Sequence, residues 1–240
     1  KFIDDDRNQL FYQFYKIVKK LNPKVFVIEN VQGILNLENG KIKNEIFNLF
    51  NGIGYDLKVE VLKASDYGVP QQRKRAFFIG NNLKINPDLF YPKKITTYKN
   101  SYVSISDAIM DLPVLNNGEG EFETQYTKKP ISEYQKARRK KSNILYNHIA
   151  SSHDERIIKL LEMIKPGQGR NDLPKNLRTK SIHSGSFGRM ELKKQSYTIT
   201  TRFDTPSVGR VVHPLQNRAI TAREAARLQS FDDDFIFYGS

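Results

Sequence analysis

The sequence predicts an α/β fold in which a mostly parallel sheet with flanking helices is joined to a smaller β-rich domain. Three observations carry that expectation. Apolar residues at helical spacing from Leu10 to Leu21 lead directly into the apolar run Val25–Ile28. Tyr55, Leu57, Val59 and Val61 alternate as a strand does, and a second apolar run, Ala76–Ile79, follows. From about Asn81 the composition shifts to Asn, Lys, Tyr and Pro, and periodicity weakens. A helix running into a buried strand is half of a βαβ unit, which places the first strand of that unit upstream of Lys1.

The first helix begins among Asp4–Asn8, whose acidic residues suit a helix start. Leu10, Phe11, Phe14, Ile17, Val18 and Leu21 share one face, and Asn22-Pro23 stops it. Val25–Ile28 reads as a buried parallel strand that ends abruptly in Glu29-Asn30. Ligands of open α/β sheets bind outside the carboxyl ends of such strands. Glu29 is therefore either a site carboxylate or a cap for the next turn. A second helix covers Lys41–Phe50, and Gly52 and Gly54 end it. After the strand at Tyr55–Val61, Gly68 and Pro70 fix a turn. Gln71, Arg73 and Arg75 then alternate, so all three face one side of an extended segment. They form either a convergent site or a solvated edge.

Beyond Asn81, Ser104–Leu112 reads as a short helix and Asn116–Glu123 as a Gly/Glu loop. Lys136–Lys141 holds five cations in six residues, including Arg138 and Arg139. That run is either a phosphate-contacting patch or a solvated helix face. Ser151–Glu155 starts a further helix, which Pro166-Gly167 ends. Short strands are expected at Ile182, Arg189–Leu192, Tyr197–Thr201 and Arg210–Val212. Arg189, Thr198, Thr200, Arg202 and Arg210 are the DNA-contact candidates there. Thr221–Gln229 is a helix with a capping-box pattern from Thr221 to Glu224.

The chain has 39 Lys+Arg against 26 Asp+Glu, a formal charge of +13. That excess points to a polyanionic partner, nucleic acid before membrane, because no long apolar run is present. With no cysteine in the chain, disulfides, thiolate zinc sites and a thiol nucleophile are excluded from it. The four histidines lack metal-ligand spacing, so no metal is expected. No signal peptide is visible, and the expected location is the cytoplasm.

Four stretches in order resemble the DNA (cytosine-5) methyltransferases of bacterial restriction–modification systems. They are Asp4–Leu10, Pro23–Val31, Ala64–Arg75 and Arg218–Ser240. The resemblance covers nearly the whole chain, with the middle third matching as the variable recognition region. The family's Gly-rich cofactor motif and its Pro-Cys loop are missing, and Asp232 stands where the family usually has Pro. The resemblance implies a Rossmann-like methyltransferase sheet over 1–85, a target-recognition domain over 86–217 and a hinge helix in 218–240. It implies methyl transfer from S-adenosylmethionine to C5 of a cytosine flipped out of double-stranded DNA. In that chemistry a thiolate adds to C6 and makes C5 able to attack the methyl group. By resemblance Glu29 contacts N3 and the exocyclic amine, Arg75 donates to O2, and Arg73 and Gln71 brace the site. Leu10 lines the adenine pocket and Asn30 braces the turn beside it. Without a cysteine the chain alone is expected to be inactive. The nucleophile would come from a missing N-terminal segment or a second subunit; the alternative is a non-catalytic DNA-recognition subunit or remnant.

Overall fold

A computed structural model describes residues 9–96, 102–180, 183 and 185–239. The helix start expected in Asp4–Asn8 and the strand expected at Ile182 lie outside those residues. The chain divides into two compact units. The first is Lys1–Lys63 with Lys74–Ile95, and the second is Ala64–Arg73 with Thr96–Ser240.

In the first unit, helix α1 (Gln9–Leu21) turns Phe11, Phe14, Tyr15 and the buried Val18 inward. Leu10, Ile17 and Leu21, expected on the same face, are 80%, 53% and 71% exposed. They form the flank of the apolar stripe and not its centre. Past Leu21 the helix ends: Asn22 N–H closes the last turn on the Val18 carbonyl at 2.8 Å, and the left-handed backbone of Asn22 (φ 47°) turns the chain out of the helix. An asparagine tolerates that conformation better than most residues.

Strands β1 (Val25–Val31), β2 (Asp56–Lys63) and β3 (Lys74–Asn81) form one sheet in the order β1-β3-β2. Both pairings are antiparallel, with Phe26 opposite Gly80 and Leu57 opposite Gly80 on the other side. This corrects the expectation of a buried parallel strand at Val25–Ile28. Among the described residues β1 has one neighbour, and Val27 and Val31 are 52% and 55% exposed. Side chains alternate across a strand, so only its even positions reach the core. Helix α2 (Lys41–Asn51) covers that face with Ile42, Ile46 and Phe50, all buried. Phe26 stacks 4.3 Å from Phe50 and 5.1 Å from Tyr55. Gly80 makes the room: a Cβ there would lie 2.5 Å from the Phe26 ring.

The second unit has little regular sheet. Its one ladder among the described residues pairs β4 (Gly120–Gln125) with β5 (Ile144–Ile149) in antiparallel register. The loop expected at Asn116–Glu123 thus becomes a strand at its far end. Gly120 permits it, at φ +111°, where a side chain would strike the His148 carbonyl. The strands expected at Arg189–Leu192 and Arg210–Val212 reduce to single bridges, and among the described residues Tyr197–Thr201 forms none, the neighbouring Ser196 being the bridged position. Arg189 pairs with Val212, Val212 with Ala219, and Gln71 with Ser196. Helices α3 (Ile105–Ile109), α4 (Glu133–Arg139), α5 (Glu155–Met163) and α6 (Ala222–Arg227) pack around these segments. Capping boxes start α3, α4 and α6 at Ser104, Ser132 and Thr221.

Helix α6 is short, and its charged residues point inward. Arg227 donates to Asp233 through Nε and Nη2, both at 2.6 Å, and its Nη1 reaches Asp111 at 3.0 Å and the Ala108 carbonyl at 2.8 Å. Arg218 binds both oxygens of Glu224 at 2.8 and 2.7 Å. Arg223 donates to the carbonyls of Tyr146 and Phe235 at 2.9 and 2.7 Å. All these guanidinium and carboxylate groups are buried. Burial alone would raise the Glu224 carboxyl, but Arg218 outweighs it and holds the group well below the usual carboxylate range.

Candidate functional site

The first unit presents a mainly apolar cleft with two charged groups beside it. In the β1–β3 register Glu29 lies opposite Phe77 and Val31 opposite Arg75. Glu29 and Arg75 are therefore diagonal neighbours on one sheet face, the face turned away from α2. Arg75 Nε lies 3.5 Å from Glu29 Oε1. The carboxylate is 46% exposed and the guanidinium 21% exposed. Such a solvated pair contributes under about 1 kcal/mol to stability, so it is a weak reason for holding both groups there. Arg75 Nη1 also donates to the Lys74 carbonyl at 2.8 Å, which limits how the guanidinium can swing.

Glu29 also lines a cleft of about 730 Å³. α1 contributes Leu10, Phe11 and Phe14 to it, β1 contributes Val27–Val31, and the turn after β1 contributes Gly33, Ile34 and Leu37. Asn30 Oδ1 accepts the Val31 N–H at 2.8 Å, at the point where β1 passes into that turn. The size falls in the usual range for small-molecule sites, about 300–1,000 Å³, and so does the make-up of apolar walls with few polar groups. Leu10 and Asn30 thus both line this cleft. Phe11, Phe14, Val27 and Ile34 join them; helical spacing marks the first two only as core residues.

The other expected site residues belong to the second unit. Gln71 is buried, bridges to Ser196, and directs Nε2 at the Leu228 carbonyl at 3.4 Å. Arg73 is half-buried, and its carbonyl accepts from Ala64 N–H at 2.8 Å. Arg189 is 5% exposed. Its guanidinium donates to the carbonyls of Leu161, Ile164, His213 and Gln216 at 2.6–2.9 Å and to Asn217 Oδ1 at 2.7 Å. It ties its own segment to the end of α5 and to the 213–217 loop. Arg139 lies 3.6 Å over the Tyr126 ring and pairs with Asp111 at 3.1 Å. Arg138 pairs with Asp232 at 3.2 Å and donates to the Ser230 carbonyl. Lys136 is exposed and pairs with Glu133 at 2.6 Å. Thr200 and Arg202 are exposed and Thr198 half-buried. Among the described residues no cluster of three or more His, Asp or Glu side chains is placed to hold a metal ion.

A family profile described as C-5 cytosine-specific DNA methylase matches residues 1–240. The chain is 37% identical over 246 residues to the type II methyltransferase M.DdeI of Desulfomicrobium norvegicum, covering 98% of this chain and 59% of that protein. It is 36% identical over 238 residues to the type II methyltransferase M1.HphI of Haemophilus parahaemolyticus, covering 99% of this chain and 55% of that one. In structure it resembles an E. coli prophage-encoded protein described as a DNA modification methyltransferase. That match has a TM-score of 0.70 at 29% identity, covering 96% of this chain and 65% of the other. The chain thus spans less than two thirds of the length of these relatives.

Proposed function

The chain belongs to the C-5 cytosine-specific DNA methylases, and from that membership we propose that its first unit holds the target base during methyl transfer to cytosine C5 in duplex DNA. The observation that carries this reading is the Glu29–Arg75 pair on one sheet face at the border of the apolar cleft. A flipped cytosine presents O2, N3 and its exocyclic amine along one edge. Glu29 accepts from the amine and holds a proton at N3. Arg75 donates to O2. When a nucleophile adds at C6, electron density builds on N3 and O2, so both groups bind the activated ring more tightly than the resting base. That difference lowers the barrier. Preorganised groups of this kind are worth roughly 3–4 kcal/mol each.

The cleft fits part of an S-adenosylmethionine molecule. Leu10, Phe11, Val27 and Ile34 offer apolar surface to an adenine ring, and Asn30 keeps the adjoining turn in shape. When bound, that cofactor supplies the electrophilic methyl group. The thiol that adds to C6 is not among these 240 residues, which contain no cysteine. It comes from polypeptide outside them.

The second unit serves target recognition in this reading. Thr198, Thr200, Arg202 and Lys136 reach solvent and are the members of the candidate set that meet DNA. Arg189, Arg138 and Arg139 hold the frame behind them. The test is Glu29→Gln in the complete natural protein. Methyl transfer should fall about 10²–10³-fold while DNA affinity changes little. Turnover close to wild type would remove Glu29 from the mechanism.

A further inference from the structure

We infer that Arg210 reads a guanine of the target sequence directly, with Tyr197 holding its guanidinium plane in place. The inference rests on the DNA-methylating reading above and adds to it a residue that sets sequence preference.

The arginine is fixed along its whole length. Its stem lies on the backbone of Gly185 and Gly188. A Cβ at Gly185 would sit 2.9 Å from the Arg210 Cγ, and one at Gly188 would run into the same stem. Only glycines leave this trough open. The backbone beneath is tied as well: Gly188 N–H donates to the Gly209 carbonyl at 3.3 Å, and Val212 N–H to the Gly188 carbonyl at 3.1 Å. The guanidinium carbon stands 4.8 Å from the centroid of the Tyr197 ring, and Nη1 donates to the Gly167 carbonyl at 3.3 Å. Tyr197 is 52% exposed. The stack borders a cleft of about 540 Å³, evenly mixed in polarity, whose lining includes Thr198 and Thr200.

A phosphate can be held by a lysine acting as a point charge on a flexible stem as well as by an arginine fork, so such a contact does not require a guanidinium plane fixed in direction. A stem laid in a glycine trough and a plane pinned on an aromatic ring add direction. Direction is what base reading requires. Guanine offers N7 and O6 side by side in the major groove, spaced for two N–H groups of one guanidinium edge. The hydroxyls of Thr198 and Thr200 suit neighbouring base edges or phosphates.

The experiment uses the complete natural protein and duplexes carrying the sequence it methylates in its own genome. Each guanine is replaced in turn by 7-deazaguanine, which lacks the N7 acceptor. In wild type one position should lower kcat/KM about tenfold or more. Arg210→Met should lower kcat/KM on the unmodified duplex on the order of 10- to 100-fold and abolish the penalty at that one position. Arg210→Lys keeps stem and charge but lacks the fork. It should give the same loss of coupling, and it decides the matter if the Met variant does not fold. A deazaguanine penalty that persists undiminished in these variants overturns the inference. So does a uniform loss across sequences with the log–log salt slope reduced by about one, which marks a phosphate contact. A wild type that methylates no cytosine sinks the underlying reading at the first step, and this inference with it.

Discussion

Replacing Arg227 by leucine removes the centre of the buried ion network and leaves two carboxylates in the second unit without their main partner. Deleting one member of a buried pair costs roughly 3–5 kcal/mol, because the remaining charge stays desolvated. The structure argues for the lower end. Asp111 keeps Arg139 at 3.1 Å, and Asp233 keeps the Tyr126 hydroxyl at 2.6 Å and Arg223 at 3.6 Å. About 3 kcal/mol is therefore expected, or a Tm lower by about 6–12 °C for a domain of this size. Circular dichroism at 222 nm during heating measures it. Replacing Arg227 and Asp233 together should cost less than the sum of the two single changes. A single-variant loss under 1 kcal/mol, or strict additivity, would refute the argument that the network is held by mutual desolvated charge.

Two further perturbations test the rest of the frame. Burial pushes the His213 imidazole down to about 4, below its unfolded value, so the stability it contributes is present above about pH 6.5 and lost as pH falls through 4. Urea unfolding at several pH values should show that slope in wild type and a flatter curve in His213→Gln; identical curves would reject the assignment. Gly80→Ala would push the Phe26 ring out of its stack with Phe50 and Tyr55 and should cost about 1–3 kcal/mol, read from the urea midpoint. An unchanged midpoint would mean the ring has room the structure does not show.

What was legible in the sequence is what local spacing encodes. α2 and the capping box of α6 follow from periodicity and from Thr221 and Glu224. Glu29 is conspicuous because a carboxylate interrupts an apolar strand. Pairing direction is not local, and so β1 reads as parallel although it runs antiparallel to β3. The approach of Arg75 to Glu29 follows from that register, which no nearby residue announces. Arginine is the hardest case. Arg189 looks like a surface cation in sequence, yet carbonyls from two separate segments converge on it, the end of α5 and the 213–216 loop. Whether a guanidinium faces water or a cage of carbonyls depends on chain segments tens of residues away. The same holds for Arg138 and Arg139, whose partners come from Ser230, Asp232 and Asp111.

The inward-facing ions of the second unit bear on how the molecule behaves at a distance. Among the described residues four arginines are buried, Arg189, Arg218, Arg223 and Arg227, and four carboxylates, Asp66, Asp111, Glu224 and Asp233. They cancel, and every lysine among those residues keeps at least partial access to water. The interior is electrically neutral, so the surplus of +13 is carried where solvent and counterions meet it. A polyanion approaching the protein therefore feels nearly the whole excess. Ionic strength then becomes a control on encounter that acts without disturbing the fold: added salt screens the outer charge within about 10 Å at 0.1 M, while the desolvated pairs inside are hardly affected.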